Sequence, residues 1–104
     1  MTKFRYAVSF EIKSDSTYDE RYQSLMDEIE AAGEDLWAET TSFILVGSNE
    51  DIAAFADRLY YGSKILDTKD MLLVIDHAAS AAIGRGPIKY PHTLGSHFKG
   101  FDKK

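Results

Sequence analysis

The chain has 104 residues, 44% of them hydrophobic and 28% charged, a size and balance that suit one globular core and leave too little for two. Lacking cysteine, it has neither a disulfide framework nor a thiolate metal site, and its longest apolar run, Met71 to Ile75, is far below the roughly 20 residues of a membrane-spanning helix. A net charge of −5 argues against broad coating of nucleic acid, although residues 1–84 carry 7 basic and 16 acidic side chains whereas residues 85–104 carry five basic and one acidic.

Phe4, Tyr6, Val8, Phe10 and Ile12 fall at every second position, as a strand with one buried face requires. A polar turn over Ser14 to Thr17 follows, and Thr17 with Glu20 has the spacing of a capping box. The helix expected there carries Tyr18, Tyr22, Leu25, Met26 and Ile29 on one stripe and ends at Gly33, which suits a left-handed cap. Leu36 to Glu39 and Ser42 to Val46 read either as two strands joined through Thr40 and Thr41 or as one long bent strand. Ser48 with Asp51 makes a second capping box, and Ile52, Phe55, Ala56, Leu59 and Tyr60 repeat the helical stripe until Gly62. The unbroken run Met71 to Ile75 predicts an interior strand covered on both faces.

This order predicts an α+β, ferredoxin-like β-α-β-β-α-β unit: a four-stranded antiparallel sheet with two helices on one face, in a domain spanning residues 1–84. The bare sheet face needs a cover, and a second copy of the chain is the simplest one, so a homodimer is expected. The segment from His77 onward is expected to make a short helix or an edge strand that wraps the partner, and residues 85–104 an extended basic tail that packs on the domain or on the partner. Its charge serves solubility or contacts phosphate. No charged-then-apolar leader is visible, which makes the cytoplasm the expected location.

Few residues stand out as chemical candidates. Glu11, near the end of the first strand, is either an exposed acid or, beside a two-fold axis, one of a pair able to hold a divalent cation or share a proton. His77, His92 and His97 lack the spacing of a metal site, and Asp76-His77 has no identifiable nucleophile. Gly84-Arg85-Gly86 offers backbone N–H groups and a guanidinium to a phosphate, or is a plain turn before Pro87. Trp37, Tyr60 and Tyr61 serve as stacking platforms if they lie on the open face and as packing residues otherwise.

The runs Tyr6 to Ile12, Trp37 to Leu45 and Asp70 to Ile75, with a helix ending in Gly33 between the first two, resemble the small SinR-like proteins. Those are similar in turn to the CRISPR adaptation protein Cas-two and the VapD-like ribonuclease toxins. The resemblance implies a homodimer of the same fold, linked to prokaryotic defence or mobile elements. In the Cas-two group the first strand ends in a Tyr-Asp-Ile/Leu motif whose aspartate binds a divalent metal across the dimer axis. Phe10-Glu11-Ile12 stands in its place, and the longer side chain displaces the carboxylate.

Two functions are therefore expected, and a third, a small-molecule-binding regulatory domain of ferredoxin-like type, has no motif behind it. One is a non-catalytic or weakly catalytic interaction module without a cofactor. The alternative is an endonuclease or endoribonuclease dependent on Mg²⁺ or Mn²⁺, with Glu11 as metal ligand, Ser9 beside it, and Arg85 and Lys89 on the phosphates of a nucleic acid.

Overall fold

Tyr6, Val8 and Phe10 point the same way from the first strand, and the computed structural model, which describes residues 2–104, buries all three beneath two helices. In chain order the elements are β1 (Phe4–Glu11), α1 (Tyr18–Ala32), β2 (Glu34–Trp37), β3 (Phe43–Ser48), α2 (Ile52–Gly62), β4 (Met71–Asp76), β5 (Ala81–Arg85), α3 (Pro91–Gly95) and β6 (Gly100–Lys103). The fold is mixed α+β, and among the described residues the strands form one sheet in the order β2-β3-β1-β4-β5-β6. The hairpin alternative at residues 34–48 is the one adopted, with an irregular register between Glu34 and Trp37.

Six strands stand where four were expected. The additional pair comes from the C-terminal region: β5 runs antiparallel to β4, and β6 returns parallel to β5. Residue 85, the expected start of the tail, is the last residue of β5. The segment beyond it holds a short helix and an edge strand, offered by the sequence as alternatives for the region from His77, and β6 pairs within its own protomer.

The core lies between the sheet and the two long helices. Leu25 and Ile29 of α1 and Phe55, Ala56 and Leu59 of α2 meet Tyr6, Val8, Phe10, Ile44, Val46, Leu72, Val74 and Ile83 from the sheet. The Tyr6 ring stacks on Phe55 at 4.8 Å, and its hydroxyl donates to the Glu50 carbonyl at 2.7 Å, so the buried polar end has a partner.

Local signals were realised unevenly. Asp51 caps α2, its carboxylate accepting from the Ala54 amide at 2.9 Å, while the Ser48 hydroxyl serves the Glu50 amide at 3.1 Å. The capping box at Thr17 does not form, because its hydroxyl is engaged by Arg21 and by Asp15. Gly33 is extended rather than left-handed. What demands glycine there is proximity: a Cβ would collide with Val46 and with the Gly47 carbonyl.

Candidate functional site

Pleating sends Ala7, Ser9 and Glu11 of β1 to the face away from α1 and α2. By register, Trp37, Phe43 and Leu45 join them from one side, and Met71, Leu73 and Ile75 from the other. The C-terminal segment returns across one half of this face. A Cβ on Gly84 would meet Ile88 and the Phe101 ring, so the missing side chain is what lets the segment sit down on β5. Leu94 of α3 continues the cover toward β4 and the end of β1.

The other half stays bare. Trp37, Phe43 and Leu45 retain 40%, 37% and 41% of their exposure, although they are neighbours, Trp37 opposite Leu45 and Phe43 two residues along β3. Arg5 and Asp35 stand on the rim, 3.5 Å apart and both largely exposed, as an ion pair within the protomer.

Ser9 and Glu11 lie where the covered half meets the bare half. They share a cavity of about 320 Å³ with Ser42, Met71, Leu73, Ile88 and Leu94. Among the described residues, no side-chain hydrogen bond or ion pair engages Ser9, Ser42 or Glu11. The main chain there is satisfied, since the Phe10 amide donates to the Ser42 carbonyl at 3.1 Å.

A buried ionic network holds the end of β1 in place, and sequence reading missed it. Asp70 has no exposed side-chain surface. It accepts from Arg21 Nε at 2.9 Å and from the amides of Lys13 at 3.0 Å and Leu66 at 2.9 Å. Arg21, equally buried, also donates to the Lys13 carbonyl at 2.7 Å and to Asp15 at 2.8 Å. Asp15 takes a further bond from Lys69 at 2.7 Å, and these hydrogen bonds, Arg21 first and Lys69 second, hold its carboxyl well below the usual carboxylate range. The only available signal was compositional, an arginine on the apolar stripe of α1, and its partner lies 49 residues away.

Arg85 stands apart from Glu11. It projects from β5 on the helix side, with its guanidinium 4.2 Å from the Tyr60 ring centre, 5.1 Å from that of Tyr61, and 2.9 Å from Asp57. Only 7% exposed, it works as a packing cation that fastens β5 to α2. Lys89 is exposed and near the Tyr90 ring, following Ile88 onto the opposite side. Trp37 alone of the three candidate platforms is on the open face; Tyr60 and Tyr61 belong to α2.

The three histidines are exposed, and among the described residues no group of three or more His, Cys, Asp or Glu side chains is placed to hold a metal ion. Glu11 supplies one carboxylate to the cavity, whereas Mg²⁺ or Mn²⁺ takes about six oxygen ligands, several of them commonly waters. Among the described residues no helix is long and apolar enough to cross a membrane. Compared with family models, curated proteins and solved structures, the chain finds no match.

Proposed function

We propose that the chain is an interaction module that acts as a homodimer, its subunits meeting through the bare β2-β3-β1 half of the sheet. The observation that carries this reading is the contiguity of Trp37, Phe43 and Leu45, which the chain's own C-terminal segment leaves uncovered. Single exposed apolar residues are ordinary; a joined set of three large ones on a flat face is the mark of an interface. The occupant this reading takes is a second copy, since one apolar face can cover its twin in a closed two-fold assembly; Arg5 and Asp35 on the rim pair with each other within one protomer.

The same reading treats β1 to β4 with α1 and α2 as a ferredoxin-like unit of SinR-like kind. It is supported by the strand order β2-β3-β1-β4, by antiparallel pairing throughout that part, and by both long helices lying on one face. A metal-dependent nuclease is the alternative reading, favoured by one observation: Glu11 is an unpaired carboxylate on the open face, where pairing of copies could supply a second. It requires cutting of RNA or DNA with Mg²⁺ or Mn²⁺ that Glu11→Gln abolishes.

Because the chain has no cysteine, a single introduced one reports contact between copies without ambiguity. Trp37→Cys, Phe43→Cys and Leu45→Cys, oxidised at micromolar concentration, should give covalent dimers from at least one position. Tyr61→Cys, 73% exposed on the helix side, should not. Dimers from the control alone, or from none of the four, would overturn the proposed interface.

A further inference from the structure

We infer that the cavity roofed by Ile88 and Leu94 binds a small organic cation, a protonated amine on a compact apolar body. This stands independently of whether copies of the chain pair. The cavity has two unlike sides. Met71, Leu73, Ile88 and Leu94 make an apolar wall, while Ser9 and Glu11, both on the open face of β1, contribute a hydroxyl and a carboxylate that no side-chain hydrogen bond or ion pair engages among the described residues. An apolar wall with a few converging polar groups is the usual construction of a small-ligand site, and about 320 Å³ is near the lower end of the size range for such sites, roughly 300–1,000 Å³.

Charge selects the class of ligand. Among the described residues Glu11 is the sole ionisable side chain lining the cavity, so its field repels an anion and attracts a cation. An ammonium group donates up to three hydrogen bonds, which the Glu11 carboxylate, the Ser9 hydroxyl and water can accept. The wall opposite Glu11 is hydrocarbon, which favours an ammonium carried on an apolar body over a hydrated divalent ion. Lys13, two residues further along the chain, and Lys89, next to Ile88, are the nearest cations in sequence, and neither forms an ion pair with Glu11.

The site is also held rather than improvised. Asp70 binds the Lys13 amide just past β1, and Gly84 lets Ile88 and Phe101 close on β5, so floor and roof are both fixed by buried contacts.

The test uses the full chain and 2-phenylethylammonium as probe, followed by methyl-group NMR at Met71, Leu73, Ile88 and Leu94. Saturable shifts at these methyls are expected, with a dissociation constant of about 1 mM or lower. The isosteric anion 3-phenylpropionate should bind at least about tenfold more weakly, and Glu11→Gln, an exposed and conservative change, should weaken the ammonium by about tenfold. No methyl shift at about 10 mM amine, equal binding of the anion, or equal binding to Glu11→Gln would each overturn the inference. So would broadening by Mn²⁺ at these methyls that the amine fails to displace, which would assign Glu11 to a metal instead.

Discussion

Replacing Asp70 with alanine tests the physical basis of the fold most severely. Its carboxylate is fully buried and receives Arg21 together with two backbone amides, those of Lys13 and Leu66. Asp70→Ala leaves a buried guanidinium with reduced compensation and two amides without an acceptor. Removing one partner of a buried pair costs about 3–5 kcal/mol. Against a total of roughly 5–15 kcal/mol for a domain, that is a large share, and it lowers the midpoint of thermal unfolding by about 15–30 °C in a chain of this length. Urea unfolding followed by circular dichroism should show the midpoint falling while the slope stays constant. The double change Arg21→Met with Asp70→Leu removes the stranded charge and should recover part of the loss, though not the part due to the two amides. A loss below about 1 kcal/mol in Asp70→Ala would refute the view that this network holds the end of β1.

Leu45→Ala should weaken self-association. Burying a leucine completely is worth about 1.5–3 kcal/mol, and the 41% still exposed in each of two copies gives roughly 1–2 kcal/mol, a dissociation constant about tenfold higher by concentration-dependent sedimentation. Gly86→Ala should destabilise by about 2 kcal/mol or more in urea: the residue sits at φ 98°, and a Cβ would collide with the Asp70 carbonyl. Asp15 makes stability acid-sensitive. Its folded carboxyl ionises at lower pH than its unfolded one, so the contribution is complete above about pH 5 and fades as pH falls below about 4; Asp15→Asn should flatten that part of the urea-midpoint profile.

The parts of the fold visible in the sequence are those with a strong period. Alternation through Phe4 to Ile12 and the stripes of α1 and α2 follow directly from burying one face, and the run at Met71 marks an inner strand between β1 and β5 whose second face, at Met71, Leu73 and Ile75, is half-buried rather than fully covered. β5 itself was hidden, since Ala81, Ala82 and Gly84 carry little strand preference and their place is set by tertiary contact with β4. β6 is four residues long and pairs in parallel with a strand some 19 residues earlier, Gly100 opposite Ala81, which no local pattern announces.

The candidate site was legible only in pieces. Glu11 and Ser9 could be placed on one strand face from their spacing, but Ile88 and Leu94, which turn that face into a cavity, arrive through the long-range return of the C-terminal segment. Arg85 illustrates the opposite limit. Read along the chain it belongs to a glycine-flanked turn suited to phosphate; in three dimensions Asp57, Tyr60 and Tyr61 already occupy its guanidinium. Thr17 misled for a related reason, because a buried arginine one turn away competes successfully for the hydroxyl that a capping box needs.

Pairing of identical sheet faces is the claim on which the proposed function rests, and sedimentation equilibrium of the unmodified chain tests it most directly. Between about 1 and 100 µM the weight-average mass should approach twice the 11.7 kDa of one chain, with Leu45→Ala lagging behind at each concentration. A single species of 11.7 kDa throughout that range would contradict it.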